Sequence, residues 1–282
     1  MKREDIRIRD PFVYADEKTG WYYMYGTTAL EEGSISSKNS FSVYKSRDLE
    51  NFDEGKKIFD GDEQPFWGTY DFWAAEMHEF GGKYYLFGSV KAEGRHRATH
   101  IFVCDTPDGK FTPVSTEPAT PIDWDCLDGT LFVEDGTPYI VFCHEWSQCK
   151  DGEICAQALS EDLSKPVDEP FLLFKATDNA SVKEIFGVGS GNFVTDGPFL
   201  WKENGKVKMT WSSYTSEGKY AVLGATADSL RGKWEHTPNL FDFDGGHGMF
   251  FNTFDGKRKF VMHKPNEPSK ERANFFDIEK KF

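Results

Sequence analysis

Several things are scarce in this chain of 282 residues. No apolar stretch approaches the roughly 20 residues that span a bilayer. No long segment carries a convincing 3.6-residue period, so a helical domain does not fit. Cysteine is limited to Cys104, Cys126, Cys143, Cys149 and Cys155, an odd number without a C-x-x-C pair. A disulfide framework is therefore not indicated, and Cys104, Cys143 and Cys155 sit in apolar strands as small core residues would. That usage fits a reducing, cytoplasmic compartment. The charged start Met1-Lys-Arg-Glu-Asp runs straight into a strand and lacks a secretory signature. Positive charge is also short: 33 Lys and Arg against 47 Asp and Glu leave a net charge of −14. Nucleic acid and anionic membrane, which both need basic surface, are not expected partners. His100, His144 and His263 lack zinc-ligand spacing, and Gly187-Val-Gly-Ser-Gly191 lacks the helix and Lys of a phosphate cradle. With no Pro/Ser-rich linker or composition shift, residues 1–282 read as one domain.

Aromatic residues, by contrast, make up 16% of the chain. Many lie in five related segments, each a Gly followed by an apolar strand ending in small, polar or charged residues. The glycines are Gly20, Gly82, Gly136, Gly205 and Gly256. A short strand precedes each (Asp10–Tyr14, Trp73–Phe80, Asp128–Val133, Asp196–Trp201, His247–Phe251) and another follows (Phe41–Tyr44, His100–Cys104, Ile154–Ala158, Tyr220–Leu223, Asn274–Ile278). Asp135-Gly136, Asn204-Gly205 and Asp255-Gly256 suit tight hairpins that need φ > 0. Elements such as Ser46–Leu49, Ser160–Leu163 and Asp228–Leu230 read as turns before a fourth strand. Five strand-rich units predict an all-β, five-bladed β-propeller.

In a propeller the first strand of each unit lines a central channel, so its opening residues ring one mouth. Three of these strands open with Asp10-Pro, Asp128-Gly and Asp196-Gly, read as one register; a fourth carries Trp73-Ala-Ala-Glu76 and the fifth Gly245-Gly-His-Gly248. A lone Asp-Gly or Asp-Pro is ordinarily a turn starter. Repeated in successive units, these carboxylates suit glycoside hydrolysis, in which one protonates the leaving oxygen and another activates water. Glu145, in Phe142-Cys-His-Glu-Trp146, is a further carboxylate at a strand end. Glu76 and His78 share a strand face, Glu76 toward the sugar. Phe12, Phe72, Trp73 and Trp146 are candidates for a floor on which a sugar ring stacks, although any single propeller aromatic is by default core. Arg95, His96 and Arg97 form a compact basic group in a loop.

Taken together, Arg9-Asp-Pro-Phe-Val13, Phe72-Trp-Ala-Ala-Glu76, Leu127-Asp-Gly-Thr130, Thr195-Asp-Gly-Pro198 and Gly246-His-Gly-Met-Phe250 resemble the signature blocks of glycoside hydrolase family 43. The resemblance spans all five units. It implies an inverting glycosidase, with Asp10 as general base, Asp128 tuning and orienting the acid, and the Asp196 block holding the general acid. It also implies that His247 contacts substrate and faces the channel, where many members hold a water-coordinated calcium or sodium ion; the chemistry itself needs no cofactor. The acid block usually reads Glu-Gly-Pro, so Asp196 is one methylene short and Glu145 stays open as the alternative acid. The implied substrates are α-L-arabinofuranosides first and β-D-xylosides second. A glycoside phosphorylase and a non-catalytic sugar-binding propeller remain as rival readings.

Overall fold

The computed structural model describes residues 1–215 and 218–278. Within them, nineteen strands form five antiparallel sheets. Blade one is β1 (Arg9–Asp16), β2 (Trp21–Thr27), β3 (Ser40–Ser46) and β4 (Lys56–Asp60). Blade two is β5 (Tyr70–Phe80), β6 (Lys83–Lys91), β7 (Ala98–Cys104) and the two-residue β8 (Thr112–Pro113). Blade three is β9 (Cys126–Glu134), β10 (Thr137–His144), β11 (Glu153–Ala158) and β12 (Phe171–Lys175), with a one-turn helix α1 (Trp146–Cys149) between β10 and β11. Blade four is β13 (Asp196–Glu203), β14 (Lys206–Tyr214), β15 (Tyr220–Ala227) and β16 (Glu235–Phe241). Blade five is β17 (Gly246–Asn252), β18 (Arg258–Lys264) and β19 (Arg272–Asp277). The first strands pack around one axis, β1 touching both β5 and β17, and β13 touching both β9 and β17. This is the expected five-bladed propeller. Among the described residues no helix is long and apolar enough to cross a membrane.

The repeated glycines explain the hairpins. Gly20, Gly82, Gly136, Gly205 and Gly256 all have φ between +68° and +86°, a region that only glycine enters without strain. Each blade buries its faces against its neighbours, so the core lies between blades. Phe41 and Phe59 of blade one pack with Phe72 and Phe102 of blade two, all fully buried. Burying each such ring contributes about 1.5–3 kcal/mol.

Among the described residues blade five has three strands of its own, and the segment ahead of β1 supplies further pairing. Arg7 bridges antiparallel to Arg272, Ile8 N–H donates to the Glu271 carbonyl, and Ile6 and Ile8 are buried. The fully buried Glu271 carboxylate takes Arg7 at 3.3 Å and Arg9 at 3.2 Å. Ends far apart in sequence thereby close the ring.

Candidate active site

All five first strands carry a β-bulge at the channel mouth. The left-over residue in each is left-handed: Asp10 (φ 52°), Ala74 (48°), Asp128 (56°), Gly197 (52°) and His247 (47°). A bulge re-aims a side chain out of the alternating pattern, and strained backbone of this kind recurs at functional sites. The bulge also frees a buried N–H, which a side chain of the preceding blade accepts. Asp10 N–H goes to His263 Nδ1 (3.2 Å), Ala74 N–H to Thr27 Oγ1 (2.8 Å), Asp128 N–H to Ser89 Oγ (2.8 Å) and His247 N–H to Ser212 Oγ (2.8 Å). These acceptors occupy one position, the end of each blade's second strand opposite the residue before the bulge. Blade three has Cys143 there, and Gly197 N–H goes instead to Asp128 Oδ2 at 3.0 Å.

This geometry corrects one expectation. Asp10, Asp128 and His247 share the bulge position, but Asp196 stands one residue earlier, level with Arg9, Trp73 and Leu127. The acidic side chains therefore enter from two levels. Asp10, Asp128, Asp196, Trp73 and His247 nevertheless converge on one well of about 100 Å³, together with Arg9, Thr27 and Tyr220. The well opens into a cleft of about 610 Å³ walled by Glu145, Trp146 and Phe186.

The buried carboxyls are driven apart in ionisation. Burial disfavours charge on Asp10, but His247 Nδ1, 3.3 Å from its Oδ1, together with Arg9, outweighs burial and holds it far below the usual carboxylate range. Thr27 Oγ1 donates to Asp10 Oδ2 at 2.8 Å. Asp128 is pushed up by burial and by the nearby charges of Asp196 and Asp10, against the pull of His247 at 3.4 Å. Asp196 is also pushed up, by burial first and then by Asp10 and Glu145, while His247 and a 2.9 Å bond from the Tyr220 hydroxyl oppose the rise. Burial lowers the pKa of His247, yet Asp128, Asp10, Glu76 and Asp196 raise it beyond that, favouring the imidazolium.

The remaining candidates separate. Glu145 sits on the cleft wall, its pKa raised chiefly by burial, 3.7 Å from Arg97 Nε. Trp73 presents one face to the Arg97 guanidinium at 3.7 Å, and Arg97 pairs with Asp71 at 3.2 Å. Arg95 pairs with Glu117 and His96 with Asp125, so the basic group faces acids of its own chain. Glu76 is buried, 3.3 Å from His78, and is not among the residues lining the well. Phe12 does not join the site: two residues past the bulge, it lies about 7 Å further along the strand. It packs there against His78 and Phe199 and lines a different cavity. Phe72 is interblade core. Thr27, Tyr220, His263 and Arg9 went unassigned from sequence. The signal for Thr27 and His263 was their shared place at the end of the Gly-led strand.

His247 Nε2 is buried without a hydrogen-bond partner among the described residues; on the imidazolium it carries a proton, so it would ligate an ion only on losing that proton. A second grouping, His144, Cys149 and Glu153, lies within metal-binding distance. Both His144 nitrogens are already engaged there, by Glu153 and Gln148 at 2.9 Å each.

The pattern of Glycosyl hydrolases family 43 matches residues 5–277. The endo-arabinase structure from Bacteroides thetaiotaomicron is 38% identical with a TM-score of 0.90, covering 100% of this chain and 97% of that one. A thermostable family-43 glycoside hydrolase is 26% identical with a TM-score of 0.82, over 97% and 90%. Among characterised sequences, Alpha-L-arabinofuranosidase 43 of Humicola insolens is 25% identical over 57% of this chain and 34% of its own length. The extracellular exo-alpha-(1->5)-L-arabinofuranosidase of Streptomyces chartreusis is 25% identical over 68% of this chain and 61% of its own. This chain thus spans about a third and three fifths of those two relatives. A family match along nearly the whole chain, on a propeller whose bulged inner strands gather three aspartates in one well, makes this protein a member of glycosyl hydrolases family 43.

Proposed function

We propose that the protein is an inverting glycosidase that removes terminal α-L-arabinofuranosyl residues from arabinose-containing oligosaccharides. One observation carries the mechanism: a single buried well gathers Asp10, Asp128 and Asp196, with Asp10 held on the ionised side and the other two pushed toward the protonated side. The sugar to be released occupies the well and the leaving sugar the cleft beside Glu145 and Trp146. Asp10 accepts a proton from water as the water oxygen bonds to the anomeric carbon. Asp196 gives its proton to the glycosidic oxygen as the old bond breaks. No bond to the enzyme forms, so the anomeric configuration inverts. Asp128, tied through Oδ2 to the Gly197 N–H, holds the backbone beside the acid in place. The reaction needs no cofactor. The His247 imidazolium itself would supply positive charge beneath the well; a channel cation would take its place only by displacing the Nε2 proton.

The arabinose preference draws on the relatives named above. A cytoplasmic location would suit imported oligosaccharides. Pairing of Arg95, His96 and Arg97 with acids favours water over phosphate as nucleophile.

The test is hydrolysis of α-1,5-arabino-oligosaccharides followed by proton NMR, beside aryl β-D-xylosides and with and without phosphate. The expected first product is free β-arabinofuranose, with Asp10→Asn and Asp196→Asn each at least about 100-fold slower. Retained configuration, or full activity of Asp10→Asn, overturns the mechanism. Preferential xyloside cleavage replaces the substrate class, phosphate-dependent turnover makes it a phosphorylase, and tight binding without turnover makes it a lectin-like propeller.

A further inference from the structure

An aspartate in the acid's place poses a mechanical problem. Its carboxyl reaches less far than that of a glutamate, so its orientation must be tighter to meet the leaving oxygen. Among the described residues the Asp196 carboxyl has one side-chain hydrogen bond, from the Tyr220 hydroxyl to Oδ2 at 2.9 Å. Tyr220 is itself fixed. It is buried, stacks on His263 with ring centres 5.7 Å apart, and meets Tyr214 at 5.2 Å. Gly246 makes room for it, since a Cβ there would lie 2.5 Å from the Tyr220 ring. The ring lines both the well and the cleft, at the boundary where the scissile bond must cross.

We propose that Tyr220 is the positioning residue of the acid, turning Asp196 so that Oδ2 is held and Oδ1 faces the leaving oxygen. The inference rests on the reading of Asp196 as the acid. Burial raises the phenol's pKa well above its ordinary value, so it stays a neutral donor through the working range. The phenol bonds Oδ2, and the transferable proton sits on the other oxygen. Tyr220 therefore acts through Asp196 and gives up no proton itself.

The test uses leaving-group dependence. A poor leaving group needs the acid, whereas an activated aryl group leaves almost unaided. Tyr220→Phe removes one oxygen from a packed ring. It is expected to lower kcat on arabino-oligosaccharide about tenfold or more, and on 2,4-dinitrophenyl α-L-arabinofuranoside less than about threefold. Added to Asp196→Asn, it should have little further effect on the oligosaccharide, because the group it positions is gone. Equal losses on both substrates, no loss on either, or full additivity with Asp196→Asn would overturn the proposal. If Asp196→Asn itself shows no leaving-group dependence, the assignment of the acid fails instead, and Glu145→Gln in the same assay identifies the replacement. Thermal melts of each variant separate a folding defect from these outcomes.

Discussion

Thr27 has one hydroxyl and two tasks. Its oxygen accepts the Ala74 N–H, so its proton goes to Asp10 Oδ2. The same atom thus joins blade one to blade two and fixes which oxygen of the base is engaged. Thr27→Val should lower kcat about tenfold or more with little change in KM, while Thr27→Ser should stay within about threefold of wild type. Equal activity of the valine variant would remove Thr27 from the mechanism. The pH profile also belongs at this scale. Asp196 works protonated, and its pKa is raised above the usual carboxyl value of about 4. Activity is therefore retained at mildly acid pH and lost as pH rises through the raised value. Asp10 works ionised and is held far below the usual range, so no matching acid limb should appear before the fold itself fails. A kcat/KM profile rising with pH between 5 and 8 would contradict both assignments.

At the scale of the element, two left-handed glycines make a contrast. Gly136 has φ +86° and nothing within 4 Å of a would-be Cβ. Gly136→Ala should cost about 1 kcal/mol of stability in urea titration and leave kcat unchanged. Gly197 has φ +52°, and its Cβ would lie 2.5 Å from the His247 ring. Gly197→Ala should displace His247 and the neighbouring acid, and lose activity far beyond its loss of stability. The difference marks what the sequence disclosed. Gly136 stands in a repeated turn whose geometry demands glycine, so the blades and their order were legible. The bulges were not, because Asp128-Gly and Asp196-Gly read alike and only φ separates them: the Asp is left-handed in the first pair and the Gly in the second. Phe12 looked like a neighbour of Asp10 until the strand direction carried it down the channel. Thr27 and Tyr220 owe their roles to partners on other strands, one in the next blade, which no local pattern encodes.

At the scale of the molecule, closure depends on Glu271, a fully buried carboxylate between two arginines. Removing one member of a buried ion pair strands the others. Glu271→Ala should cost about 3–5 kcal/mol in chemical denaturation, and Glu271→Gln, which keeps hydrogen-bond acceptance, less. An unchanged midpoint for the alanine variant would mean that apolar packing of Ile6 and Ile8 suffices. Arg9 also lines the active-site well, so the alanine variant is expected to lose activity below its melting range as well.

That closure has a consequence for how the protein is made. The residues that complete blade five leave the ribosome before any of the five sheets, while β19 follows the other eighteen strands. Four blades can form during translation, yet their two end faces stay uncovered until β19 has emerged. A message cut short before β19 should therefore yield a protease-sensitive chain and no partly active enzyme. Quality control would need to inspect only that single seam to tell a closed propeller from an open one.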